Sequence, residues 1–167
     1  MRVKILPMVT PARKSRIMDS FDQALLTALQ RDATQTAEAL GEQINLSPSQ
    51  AARRKQRLES QGVISGYVAQ VAPATVGLTV QAFIQVMFRE HSPSAAAGFA
   101  RAVQAMPQVV AVWTMTGEAD YLLRVWCADL AALNRLIHQD ILAHPAVARV
   151  QSQIVMDQLK PDGPLPV

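Results

Sequence analysis

Thr36–Gly62 reads TAEALGEQINLSPSQAARRKQRLESQG, and its punctuation decides the front of the fold. Thr36 starts a short helix through Gln43 with Ala37, Leu40 and Ile44 at helical spacing, and Asn45 suits the left-handed conformation of a tight turn. Ser47 then caps a third helix, Pro48 occupies the first position, where a missing N–H is harmless, and Gly62 ends the helix after about Gln61. Only Asn45 and Leu46 separate the two helices. Two helices joined this tightly, the second one basic, form the pattern of a helix-turn-helix.

Working outward on the N-terminal side, Asp19 or Ser20 caps a first helix through Gln30, with Phe21, Leu25, Leu26 and Leu29 facing the same small core. On the C-terminal side, Val63–Val71 is β-branched and short, and reads as a strand or wing leading into a hinge punctuated by Pro73 and Gly77. From Leu78 to Phe88 every second residue is apolar, the period of a half-buried strand, with Thr79, Gln81, Phe83, Gln85 and Met87 on the other, mixed face. Ser92-Pro93 opens a helix containing Ala96, Phe99, Val103 and Met106. Strands follow at Val109–Met115 and Tyr121–Cys127, joined by a turn over Gly117–Asp120. Asp129 caps a helix with Leu130, Leu133, Ile137 and Ile141 inward, and a last strand runs over Val147–Met156. Met106-Pro107-Gln108-Val109 and His144-Pro145-Ala146-Val147 mark equivalent helix-to-strand junctions 38 residues apart, so the back half is a repeated βαβ. The expected fold is α+β, an N-terminal winged helix-turn-helix followed by a ferredoxin-like βαββαβ domain. The domains are a basic, flexible leader at 1–17, the helix-turn-helix with a short strand or linker at 18–71, the βαββαβ module at 78–160, and a tail at 161–167.

Charge separates these halves. Residues 1–62 carry ten Lys/Arg against six Asp/Glu, while the remainder carries six against seven, so the overall +3 lies at the front. A basic front half and a near-neutral back half point to a polyanion as partner of the first. On a helical projection Gln50, Arg53, Arg54, Arg57 and Gln61 form one polar stripe of the third helix, and Lys55 falls on the side that packs. Ser47, Ser49, Gln50, Arg53, Arg54 and Arg57 are the candidate contacts to double-stranded DNA, through base edges or phosphates. A solvated charge run is the bland alternative, but only Glu59 lies nearby to balance it.

Other chemistries find little support. One cysteine, Cys127, excludes an internal disulfide and a multi-cysteine zinc site, and His91, His138 and His144 lack metal-ligand spacing. Glu118 and Asp120 have no nucleophile or base beside them, so no catalytic residue, no metal and no enzyme are expected. No stretch is apolar and long enough to span a membrane, and no cleavable leader is evident, so the expected location is cytoplasmic.

Met18-Asp19-x-x-Asp22-x-x-Leu25-Leu26-x-x-Leu29, then Leu46-Ser47-Pro48-Ser49 through Arg53-Arg54 and Arg57-Leu58-Glu59, Gly62-Val63-Ile64-x-Gly66-Tyr67, and Gly117-Glu118-x-Asp120-Tyr121-Leu122-Leu123 closely resemble the Lrp/AsnC (leucine-responsive/asparagine, feast-famine) transcription regulators over about residues 18–160. The resemblance implies a DNA-binding regulator modulated by an amino acid or similar small effector, with no cofactor. It also implies a homodimer formed through the sheets that assembles to a tetramer or octamer. Gly117, Glu118, Asp120 and Ser152 match the effector-binding positions. The chain departs from the pattern at Gln35 and Lys55, where apolar residues are usual, and at Ala119 and Val150 in the effector half. The alternative reading is a small-molecule sensor or oligomerisation protein whose DNA-binding half has degenerated.

Overall fold

A computed structural model describes residues 18–167, and the basic leader at 1–17 lies outside them. The chain forms two compact units: residues up to Ala69 together with Lys160–Val167, and Gln70–Leu159.

The first unit is a trihelical core. Helix α1 (Ser20–Arg31) starts at Asp19, whose side chain accepts the Asp22 N–H. Helix α2 (Ala37–Ile44) starts at Thr36 and stops at Asn45, left-handed at φ 56°. Helix α3 (Pro48–Ser60) is capped reciprocally: Ser47 Oγ accepts the Gln50 N–H at 3.3 Å, and Gln50 Oε1 accepts the Ser47 N–H at 3.0 Å. This capping box satisfies two amide donors that a helix start otherwise leaves open. Leu25, Leu29, Leu40, Ile44, Ala51 and Leu58 are buried together. The α2–α3 turn is so tight that a Cβ on Gly41 would sit 2.6 Å from the Leu46 carbonyl oxygen. Leu165 of the C-terminal segment joins this unit, its N–H donating to Gln30 Oε1 at 2.6 Å and its carbonyl accepting from Gln30 Nε2 at 3.1 Å.

Two expectations for this unit fail. Phe21 is 39% exposed, because it lies under the Arg54 guanidinium, 5.3 Å from its ring centroid, rather than in the core. The strand or wing over Val63–Val71 does not form, and no strand precedes Val80 among the described residues. A strand needs a neighbour to take its N–H and C=O groups, and the described residues of the first unit offer none. Instead the Val63 and Ile64 N–H groups both donate to the Leu58 carbonyl, holding the start of the segment against the end of α3.

The second unit is a four-stranded antiparallel sheet in the order β2-β3-β1-β4. Its strands are β1 (Val80–Phe88), β2 (Val109–Thr114), β3 (Tyr121–Cys127) and β4 (Val147–Ile154). Helix α4 (Pro93–Gln104) follows β1, and α5 (Leu130–Arg135) follows β3. Alternation carries Ala82, Ile84, Val86, Leu123, Val125 and Cys127 to one face, where they are buried under Phe99, Val103, Leu133 and Leu136. The strand-helix-strand repeat therefore folds as a ferredoxin-like layer with its helices on one side. After α5 the chain widens into a π-helical turn over Leu136–Ile141. Leu136 is 1% exposed and Ile137 only partly buried, while Leu130, expected inward, is 59% exposed at the first position of α5. The sheet's other face carries Phe83, Gln85, Leu122, Trp126 and Gln151, with Trp113 opposite Leu122 at the β2 edge.

Candidate nucleic-acid interface and effector cleft

Helix α3 uses three parts of its circumference for three purposes. Ala51 and Leu58 face the core. Arg54 and Arg57, expected on the DNA-facing stripe, turn instead toward the start of α1. Arg54 Nη1 lies 2.8 Å from Asp19 Oδ2 and 2.7 Å from Asp22 Oδ1, and Arg57 Nη2 lies 2.5 Å from Asp22 Oδ1. Asp22 is 3% exposed, so its charge is held inside by two guanidinium groups, as a buried carboxylate requires. The N–H of Asp22 and then the Arg54 guanidinium hold the Asp19 carboxyl below its ordinary pKa, and Asp19, followed by Asp22, raises that of Arg54. The arginines of α3 thus do not share one stripe.

The side of α3 away from the core presents Ser49, Ala52, Arg53, Gln56 and Ser60, all exposed. The Arg53 guanidinium has no ion-pair or hydrogen-bond partner among the described residues. Ser47 and Gln50 are engaged in the cap, and Ser49 Oγ lies 3.1 Å from Ser47 Oγ. Sequence reading missed Gln56, although its position three residues after Arg53 is the signal that places it on the same face.

Lys55 is half-buried, and its ammonium lies 5.1 Å from the centroid of the Tyr67 ring. The Tyr67 hydroxyl donates to Glu59 at 2.8 Å, and loss of water with that bond pushes the phenol up to about 12. A cation over an aromatic face is favourable where the usual apolar side chain is missing, so Lys55 packs without entering the core.

In the second unit, the β2–β3 turn is closed by the Met115 N–H donating to the Asp120 carbonyl at 2.9 Å, with Gly117 at φ 120°. Asp120 turns back toward β1: its Oδ2 accepts the Phe88 N–H at 2.7 Å, and its Oδ1 lies 3.2 Å from His91 Nδ1. These groups border an open cleft of about 380 Å³, lined among others by Phe88, His91, Ser92, Thr114 and Tyr121. Of the four expected effector residues, Asp120 alone lines this cleft. Gly117 and Glu118 are exposed in the turn, and Ser152 is exposed on the edge strand β4, opposite Ile84. His91, which the sequence marks only by its lack of metal-ligand spacing, gains its place because the end of β1 runs beside the β2–β3 turn, a proximity that no local pattern announces.

Comparison with known proteins decides the family. Residues 18–59 match the AsnC-type helix-turn-helix domain and residues 81–165 the Lrp/AsnC ligand binding domain. The chain belongs to the Lrp/AsnC family. It is 34% identical over 151 residues to the DNA-binding transcriptional activator DecR of Escherichia coli K12, covering 90% of this chain and 99% of that one. The leucine-responsive regulatory protein of the same organism is 28% identical over 148 residues, 89% of this chain and 90% of its own. A crystal structure of a Neisseria meningitidis transcriptional regulator in complex with L-Met superposes with a TM-score of 0.86 at 35% identity, covering 90% of this chain and 97% of that one. As a member of the Lrp/AsnC family, the chain is a DNA-binding transcription regulator and not an enzyme. Among the described residues no helix is long and apolar enough to cross a membrane.

Proposed function

We propose that this Lrp/AsnC protein regulates transcription in the cytoplasm by placing α3 in the major groove of double-stranded DNA, and that an amino acid or similar small effector tunes that binding. The observation that carries the reading is the division of α3, which packs one side, ties a flank to α1 through Asp19 and Asp22, and keeps a third side open with a cation, Arg53, that has no partner among the described residues. A helix fixed on two sides by its own domain is presented rigidly on the third, as groove reading requires. No observation favours the degenerate-domain alternative, since Gln35 is only half-buried and Lys55 has its ring partner.

The effector's place is the cleft beside Asp120. Its carboxylate suits an ammonium group, and His91 beside it suits a carboxylate when protonated, a pair of charges that matches a zwitterion. The helix-free sheet face, with Phe83, Leu122, Trp113 and Trp126, suits a second copy of the chain, giving a homodimer that associates further to a tetramer or octamer. Effector binding that favours one assembly over another changes the spacing of paired α3 helices, and so DNA affinity. The test is a salt-titrated binding assay on the chain's own promoter against random duplex, with and without a pool of amino acids. Equal affinity for both duplexes at every salt concentration sinks the regulator reading. An unchanged curve with every amino acid sinks the effector part alone.

A further inference from the structure

The ion pairs at the start of α1 change which side chains of α3 are available to a base. Arg54 and Arg57 are held by Asp19 and Asp22, and the Lys55 ammonium lies over Tyr67. Arg53 is therefore the α3 cation left without a partner among the described residues, and it is exposed. Gln56 is also exposed, its side chain has no hydrogen-bond partner among the described residues, and it lies one turn further on the same face.

We infer that Arg53 and Gln56 are the base-reading pair of this protein, selecting a guanine and an adenine one to two base steps apart in each half-site, while Arg54 and Arg57 position the helix. The inference rests on the reading of α3 as the groove-entering helix. Its chemistry follows from the two head groups. A guanidinium donates two parallel bonds to guanine O6 and N7, and a primary amide donates to adenine N7 while accepting from N6. Three residues of helix advance about 4.5 Å, and neighbouring base pairs are about 3.4 Å apart, so the two side chains reach adjacent or next-adjacent pairs. Ala52, beside Gln56 on the same side of the helix, offers a methyl group but no hydrogen bond, and Ser49 is turned toward Ser47 at the cap.

The experiment is selection from a random duplex library with the full chain, in parallel for wild type, Arg53→Ala and Gln56→Ala. Both side chains are exposed and have no partner among the described residues, so the variants should melt with the wild type, which a thermal scan checks. Wild type should enrich a motif with a guanine and an adenine within two steps. Arg53→Ala should lose the guanine preference alone and Gln56→Ala the adenine preference alone, each loss being roughly 5- to 150-fold in discrimination. If either variant weakens all duplexes alike and keeps the motif, that side chain touches phosphate and the inference is overturned. It is overturned equally if both variants enrich the wild-type motif at wild-type affinity. If wild type itself enriches no motif, the regulator reading beneath the inference fails, an outcome distinct from the other two.

Discussion

Asp22 shows how one side chain sets the use of several others. A carboxylate that is 3% exposed cannot stay charged alone, so it draws Arg54 and Arg57 from the open side of α3. Asp22→Asn keeps the shape and removes the charge, and should lower the stability of the first unit by about 1–3 kcal/mol, read from urea unfolding followed by helical circular dichroism. Asp19 adds a pH dependence. Its pKa is depressed in the folded chain, so its contribution is present above the ordinary carboxylate value and fades as pH falls through the depressed one. Acid unfolding should thus begin sooner in Asp19→Ala than in wild type. Tyr67 works at the other end of the scale. Its pKa rises from 10.0 to about 12, so its contribution is complete below the ordinary phenol range and is lost as pH climbs through the raised value. An ultraviolet tyrosinate titration should show a late component that Tyr67→Phe removes; an unchanged titration curve in that variant would contradict the assignment.

At the scale of elements, caps and turns followed local chemistry closely. Asp19, Thr36, Ser47, Ser92 and Asp129 all accept backbone N–H groups where the sequence places them, because a cap is decided within four residues. Where an element leans on something distant, the pattern misleads. The β-branched run after Gly62 has no neighbouring strand among the described residues and stays irregular, and after α5 the core takes Leu136 while Leu130, at the start of α5, stays exposed. Leu136→Ala should therefore cost about 2–5 kcal/mol and Ile137→Ala clearly less, measured by denaturation. Equal losses would argue for an unbroken α-helix there. The α2–α3 turn offers a sharper case, since an added methyl at Gly41 meets a backbone oxygen that cannot swing away. Gly41→Ala should destabilise the unit by about 1–3 kcal/mol and weaken DNA binding with it.

For the molecule as a whole, the two units carry separable tasks, so substitutions should divide their effects. Asp120→Asn should blunt the response of DNA binding to an effector while leaving affinity in its absence near wild type, as a fluorescence-anisotropy titration would show. Loss of binding without any effector would instead make Asp120 a structural residue, through its bond to the Phe88 N–H. On the open sheet face, Trp113→Glu places a charge where a second copy should pack, and light scattering should report a smaller particle.

What the sequence determined by itself was the caps, the tight turn of the helix-turn-helix, the alternation that sends Ala82, Ile84 and Val86 inward, and the repeated βαβ that yields a ferredoxin-like sheet. What only the tertiary structure decided was the assignment of charges and of cleft residues. Arg53, Arg54 and Arg57 look alike along the chain, and they separate because Asp22, more than thirty residues earlier, comes within hydrogen-bond distance of two of them. His91 and Asp120 meet for the same reason, at the junction of a strand end and a turn. Periodicity reports which way a side chain leaves its own backbone. Electrostatic pairing depends on what another segment has placed there, and only the packed chain supplies it.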